Sequence, residues 1–329
     1  MQRVAIIDDY LDSARQVADW SAVERRAEVT VFTDHLDDPD AVVARLAGFD
    51  IVSVMRERTP FPRTLLERLP RLKLLCSTSE RNAAIDVAAA RDLGITVCGT
   101  SPPPGGTAEL TWGLILALAR QIPENVAAVR AGGWQVGLGV GLRGRTLGLL
   151  GLGTIGTRVG RVGQAFGMEV VAWSPNLDAT RAAVAGAKRV SKDDLFRLSD
   201  VLTLHIVLSD RTRHIVGARE LALMKKSALF VNTSRGPLVE EAALLDALTR
   251  RAIAGAAVDA FAVEPLPRDH PLRQLPNALL TPHIGYVTEP GYRSFYGDTV
   301  ENVLAFLDGR PIRVMNPEAG QNAAIPAFL

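Results

Sequence analysis

Gly151, Gly153 and Gly156 stand in the spacing G-x-G-x-x-G within Gly151-Leu152-Gly153-Thr154-Ile155-Gly156. Glycines so placed suit one kind of chemistry. The first permits a tight turn, the second lets the backbone approach a pyrophosphate, and the third allows a helix to pack close to a strand. The helix that follows offers unpaired N–H groups and a partial positive charge to the phosphates, with Thr154 and Ile155 beside them. The bare spacing is also met in glycine turns that bind nothing, so its context decides. An apolar run over 147–150 reads as a buried strand, 157–166 as a helix stopped by Gly167, and 168–173 as a second strand. That order turns the spacing into a dinucleotide signal.

Three polar residues stand just beyond three later strand candidates. Arg235 follows 228–232, Glu264 follows 255–260, and His283 follows 278–280. If the strands are parallel, all three ends face the same crevice as the glycine turn. Each residue alone reads as a surface arginine, a solvated loop acid, and a core or capping histidine. As a set in register they point to a site. His205 ends the strand candidate 201–206 and is expected to line the same cleft, whereas His35, His214 and His270 lie in polar contexts and read as solvated. No His, Cys and carboxylate spacing suggests a metal site.

These residues need elements to carry them. Strand candidates at 3–7, 28–32, 50–54, 72–77 and 95–98 alternate with helical stretches at 13–26, 40–47, 64–69 and 85–93. Such βα alternation implies a parallel sheet covered on both faces. The first strand ends in Asp8-Asp9-Tyr10, without a glycine fingerprint, so the first unit is not the dinucleotide site. The run Pro102-Pro103-Pro104-Gly105-Gly106 reads as a crossover between domains. Thr107 caps a helix running to Arg120, and 132–144 reads as a glycine-rich loop. After the fingerprint the alternation resumes, with helices at 192–198, 218–224 and 240–249. A final helix over 292–307 is long enough to return to the first domain. The expectation is an α/β protein of two doubly wound parallel-sheet domains.

Composition narrows the partners. The 329 residues suggest about two domains, and 47% hydrophobic with 22% charged residues is ordinary for a large core. A formal net charge of +1 without a long basic run argues against nucleic acid or an anionic membrane as partner. Cys76 and Cys98 are too few for a disulfide framework, and Asp8-Asp9 ends the only early apolar run, so a reducing, cytoplasmic setting is expected.

The fingerprint, Asn232-Thr233-Ser234-Arg235-Gly236, Val258-Asp259-Ala260-Phe261 with Glu264-Pro265, and Thr281-Pro282-His283-Ile284-Gly285 together resemble the D-isomer-specific 2-hydroxyacid dehydrogenase family. The resemblance covers nearly the whole chain. It implies a flavodoxin-like substrate domain over 1–101, a Rossmann cofactor domain over 102–284, and a return to the first domain over 285–329. It also implies a catalytic set of Arg235, Glu264 and His283. In that set Arg235 pairs with a keto-acid carboxylate or polarises its carbonyl, His283 exchanges the proton, and Glu264 orients the imidazole and favours its charged form. Cofactor contacts extend to Ser174, Pro175, Asn176, His205, Thr233, Asp259 and Gly285. A homodimer through 107–120 and 132–144, and domain closure that excludes water, are implied as well.

Departures from the family's pattern at Ser174, at Ser79-Glu80-Arg81 and at the crossover Pro102–Gly106, near where the nicotinamide is expected, bear on specificity. Where an NAD enzyme usually carries Asp or Glu after the second strand, this chain has Ser174, which removes repulsion against a 2′-phosphate. NAD or NADP is therefore expected, with NADP tolerated or preferred; Arg181 and Lys188 are the nearest bases. Ser79-Glu80-Arg81 replaces the family's glycine-rich substrate loop, so Glu80, Arg81 and Asn82, with Arg56 from a neighbouring strand end and with Arg235 and His283, are the candidate substrate contacts. The leading reading is hydride transfer from NAD(P)H to a 2-keto acid, giving a D-2-hydroxy acid. Glyoxylate or hydroxypyruvate reduction is its close variant. Formate oxidation is disfavoured, because that branch places Gln at Glu264; phosphite oxidation uses a similar triad. The rival from another class is a non-enzymatic, nucleotide-sensing protein like the related corepressors.

Overall fold

The computed structural model describes residues 1–102 and 105–317, and the chain divides into two compact units. One is Met1–Pro104 with Thr288–Leu329, the other Gly105–Val287. Each boundary falls three residues beyond the expected one, at 104 against 101 and at 287 against 284. Pro103 and Pro104 of the expected crossover, and the tail from 318, lie outside the described residues.

The first unit is a five-stranded parallel sheet of β1 (Gln2–Ile6), β2 (Ala27–Val31), β3 (Ile51–Val54), β4 (Leu74–Ser77) and β5 (Thr96–Cys98), in the order β2-β1-β3-β4-β5. Its central strands are buried throughout, as expected where both faces are covered. The outer edge of β5 is closed by an antiparallel bridge from Cys98 to Val314. The Asn316 side chain accepts from Val97 N and donates to Ile95 O there, and Asn302 of the helix Glu289–Leu307 donates to Gly99 O. The helix expected over 13–26 is two four-residue helices, Ala14–Val17 and Ser21–Glu24. Ala18 turns extended between them, the Asp19 carboxylate takes the Ser21 N–H, and the Trp20 indole donates to Ala14 O.

The second unit carries seven parallel strands: β6 (Thr146–Leu150), β7 (Glu169–Trp173), β8 (Lys188–Arg189), β9 (Val201–Leu204), β10 (Leu229–Asn232), β11 (Gly255–Val258) and β12 (Ala278–Leu280). Their order is β12-β11-β10-β9-β6-β7-β8, so the chain reverses direction across the sheet between β6 and β9. The strand period of two splits their side chains between two cores. Phe230, Ala256 and Val258 enter one, with Leu202 and Leu204. Leu229, Val231 and Ala257 enter the other, with Leu147 and Leu149. Burying each large side chain contributes about 1.5–3 kcal/mol, which makes this sheet a rigid platform for whatever stands at its ends. The sequence reading missed β8, the helix Ala179–Val184, the short 3-10 helices Gly236–Leu238 and Pro271–Gln274, and the helix Ile122–Arg130, the last with no buried residue.

Candidate active site

All seven strands of the second sheet end on one edge, and the residues singled out from the sequence fall along it in strand order. After β6 comes the glycine turn. Gly151 has φ 106°, and a Cβ there would lie 2.5 Å from His205 O. A Cβ on Gly156 would lie 2.3 Å from Gly151 O, so helix and turn are in direct backbone contact. Gly153 differs. It has ordinary backbone angles, and a Cβ there would meet nothing within 4 Å. The helix Thr154–Ala165 begins at once, three residues before its expected start, because Gly153 is its N-cap. Gly153, Thr154 and Ile155 are exposed, so the free first-turn N–H groups face open space.

His205 follows β9, across the switch point from the turn. Its Nε2 lies 3.1 Å from Thr203 Oγ1, whereas its buried Nδ1 has no hydrogen-bond partner among the described residues. Burial pushes its pKa down to about 3, so the ring is neutral near pH 7. An open cradle at Gly153 and an orphaned ring nitrogen across the switch point together fit a dinucleotide lying along this edge.

After β7 the chain turns through Ser174, Pro175 and Asn176, with the last two exposed. Arg181 Nη1 lies 3.4 Å from Asn176 O, and Arg189 Nε donates to Leu177 O at 2.6 Å. Folding thus gathers guanidinium groups around a turn that has no carboxylate of its own from 174 to 177.

The three adjacent strands β10, β11 and β12 are followed by the loops that carry Arg235, Glu264 and His283. Asn232 holds the Arg235 turn, donating through Nδ2 to Arg235 O and accepting from Ser234 N. Arg235 Nη1 donates to Ser234 O at 2.9 Å. Glu264 and His283 are directly paired, with Nδ1 of the imidazole 2.6 Å from Glu264 Oε2. The other carboxylate oxygen, Oε1, accepts the Phe261 N–H at 2.7 Å. Both side chains keep partial exposure, 21% for His283 and 32% for Glu264, so the pair is open to a small molecule. With Nδ1 on the carboxylate, Nε2 is the ring atom left for exchange.

His283 has φ 52°, an uncommon conformation for a residue other than glycine. Asp259 imposes it. The fully buried Asp259 carboxylate accepts from Thr281 Oγ1 at 2.6 Å, Ile284 N at 2.8 Å and Gly285 N at 2.9 Å, bracketing the histidine on both sides. Desolvation raises the Asp259 pKa against the lowering effect of those bonds. Gly285 fits because a Cβ would press on Asp259 Oδ2 at 3.2 Å. Thr233 shares a 2.8 Å hydrogen bond with Thr111, fixing β10 to the helix Gly106–Arg120. Sequence reasoning missed Tyr286, whose ring stands edge-on to His283 with centroids 5.5 Å apart. Its position three residues after the histidine was the available signal.

The remaining candidates belong to the first unit. Arg56, after β3, is half-buried with φ 56°. Glu80 and Arg81 are exposed on the loop after β4. Asn82, expected as a substrate contact, is instead buried with its amide engaged inside the unit. It donates to Arg56 O at 2.6 Å and Ser77 Oγ at 3.1 Å, and accepts from Ala84 N at 2.9 Å. Two histidines also depart from the solvated reading. His35 is bonded to Asp8 and Asp37, and His270 to Glu241. Asp8 and Glu241 lie 27 and 29 residues from their histidines, a pairing that a local polar context does not reveal. Among the described residues, no helix is long and apolar enough to cross a membrane.

Comparison with known proteins follows the same lines. The profile described as "D-isomer specific 2-hydroxyacid dehydrogenase, NAD binding domain" matches residues 112–285. A glyoxylate reductase of Aeropyrum pernix is 42% identical over 268 residues, covering 77% of this chain and 79% of its own. A glyoxylate reductase of Thermococcus litoralis is 37% identical over 312 residues, covering 90% and 92%. The crystal structure of a phosphoglycerate oxidoreductase from Vibrio cholerae superposes with a TM-score of 0.90 at 39% identity, covering 94% of this chain and 100% of that one.

Proposed function

The chain belongs to the D-isomer specific 2-hydroxyacid dehydrogenase family, an oxidoreductase family with a nicotinamide cofactor, and from that premise we propose that Arg235, Glu264 and His283 carry its reaction. The observation behind this reading is the 2.6 Å His283–Glu264 pair at the ends of β12 and β11, one strand from Arg235 and on the same sheet edge as the glycine turn.

A bound nicotinamide supplies the hydride that reduces C2 of a 2-keto acid, and the protein's side chains do the rest. Arg235 presents a planar, permanently charged fork that suits the substrate carboxylate and the carbonyl oxygen gaining charge. His283 delivers the proton from Nε2 to that oxygen, completing the hydroxyl. Glu264, on Nδ1, fixes the ring's orientation and stabilises its positive charge while the proton is held. In the oxidative direction His283 takes the hydroxyl proton back. Gly151, Gly153 and Gly156, with the first-turn N–H groups of Thr154 and Ile155, hold the pyrophosphate. His205, Thr233, Asp259 and Gly285 frame the nicotinamide end, and Ser174, Pro175 and Asn176 the adenosine end.

At that adenosine end the chain accepts NADP. A 2′-phosphate meets Ser174 rather than a carboxylate, with Arg181 and Arg189 anchored beside the turn. Glyoxylate is the first substrate to try, given what the relatives from Aeropyrum pernix and Thermococcus litoralis are named for, with hydroxypyruvate, its close variant, beside it. The enzyme works as a homodimer. The helix Ile122–Arg130 and the following segment expose Val129 at 55%, Trp134 at 75% and Leu138 at 91%, an apolar surface that an identical copy would cover. One experiment tests the whole reading: a panel of 2-keto acids with NADH and with NADPH, beside the His283→Ala variant. Turnover by the wild type, lost in His283→Ala with cofactor binding retained, is expected. Cofactor binding without turnover of any keto acid by the wild type would favour a nucleotide-sensing protein instead.

A further inference from the structure

Glu264 stands on a stretch that no strand or helix carries, residues 259–270 between β11 and the short helix Pro271–Gln274. Pro265 and Pro267 lie within it and have no N–H, so the stretch is short of donors for its own carbonyls. Burial does not pin Glu264 from either side either: Val263 is 63% exposed, and Pro265 is exposed. The loop is braced from its two flanks instead. On the side toward Arg235, Gly236 packs straight onto it, and a Cβ there would run into the Phe261 carbonyl and the Ala262 nitrogen. On the far side Arg273 supplies the missing donors. Its Nε donates to Pro267 O at 2.8 Å and its Nη2 to Leu266 O at 2.7 Å, the carbonyls two and three residues after Glu264. A planar guanidinium holds two successive carbonyls in one fixed fork, which the point charge of a lysine does not. The base of that fork is itself anchored. Leu272, beside Arg273, is buried in the core. His270 accepts the Leu272 N–H on Nδ1 at 3.3 Å, which leaves its proton on Nε2, 3.0 Å from Glu241 Oε1 at the start of the helix Glu241–Thr249. All of these groups belong to the second unit.

We propose that Arg273 is a positioning residue for the reaction: by holding the Leu266 and Pro267 carbonyls, it keeps the Glu264 carboxylate on His283 Nδ1. This role rests on the parts given to Glu264 and His283 in the functional reading above.

The test uses the full-length protein, with glyoxylate as the probe and saturating cofactor. Arg273→Met keeps the stem and removes every donor. It should lower kcat about fivefold, the value of one net hydrogen bond, with the cofactor KM within about twofold. The pH profile separates positioning from a merely structural role. A carboxylate on Nδ1 favours the imidazolium, so a loosened one lets the proton leave at lower pH. The alkaline limb of kcat for reduction should therefore move down by about half a pH unit. In a Glu264→Gln background Arg273→Met should add nothing, because its effect passes through the carboxylate. Arg268→Met, at an exposed residue of the same loop, should leave kcat unchanged. Should Arg273→Met not fold, Arg273→Gln runs the same cycle. A kcat within about twofold of wild type, an alkaline limb that stays in place, a cofactor KM rising in step, a loss undiminished in Glu264→Gln, or an equal loss in Arg268→Met would each overturn this role and leave the functional reading standing. A wild type that turns over no 2-keto acid would overturn the functional reading, and this role with it.

Discussion

Replacing Glu264 by Gln asks whether the carboxylate does more than hold a loop. The substitution preserves shape but removes the charge and one acceptor. Both of the residue's partners are donors: the Phe261 N–H on Oε1 at 2.7 Å, and the His283 Nδ1–H on Oε2 at 2.6 Å. A glutamine offers a single oxygen. If that oxygen stays on Phe261, the amide N–H group faces Nδ1 and is compatible only with an unprotonated Nδ1. The ring can then no longer be held as an imidazolium, the species proposed to give its proton to the carbonyl. A charge-assisted hydrogen bond contributes about 1.5–3 kcal/mol, and the partial exposure of both side chains favours the lower half of that range. About 2 kcal/mol corresponds to a fall of about thirtyfold in kcat. Steady-state reduction of glyoxylate at saturating cofactor reads this directly, and cofactor binding by intrinsic fluorescence serves as the control. Turnover within about threefold of wild type would refute the reasoning. An equal loss of cofactor affinity would assign Glu264 to local folding instead.

The glycines separate stability from binding. Gly151→Ala should lower stability by about 1–3 kcal/mol, because its φ of 106° and the His205 backbone 2.5 Å away leave no room. Gly153→Ala should lower stability by only about 0.5–1 kcal/mol, the cost of alanine at an N-cap, since nothing lies within 4 Å, yet raise the cofactor KM about tenfold or more by filling the pyrophosphate approach. Thermal melts and cofactor titrations of the two variants decide the matter. Two histidines should give opposite pH trends. The hydrogen bond to Asp8 raises the His35 pKa, so its contribution is full below the unfolded value of 6.5 and is lost as pH rises through the folded value. The stability gap between wild type and His35→Gln should therefore narrow above pH 6.5. Burial lowers the His205 pKa to about 3, so the unfolded chain takes the proton first and stability falls from pH 6.5 down towards 3. Melts of His205→Asn should show a shallower acid-side loss. Leu138→Asp, at the most exposed apolar side chain of the segment after Ile122–Arg130, should shift the protein from dimer to monomer in light scattering; an unchanged mass would rule that surface out.

Local rules carried much of this protein. The glycine turn, the βα alternation and the run of strand ends were legible because a period of two, a tight turn and a helix start each leave a mark within a few residues. Arg235, Glu264 and His283 could be singled out because each sits in a short motif just after an apolar run. The helix Ile122–Arg130 left no such mark. With no buried residue in the monomer, it lacks the one-sided apolar pattern that a core would impose.

What only the tertiary structure decided is which polar groups face one another across long stretches of chain. The Glu264–His283 pair joins two strand ends, the Asp259 carboxylate shapes a turn 25 residues away, and Asn82 reaches back 26 residues to hold the backbone at Arg56. Arg181 and Arg189 arrive beside a turn that in sequence has no base adjoining it. A hydrogen bond between distant residues has no period and no composition. It exists only once the sheet has set its strands in order, and for that reason the chain alone foretold where chemistry would gather but not which distant groups would pair.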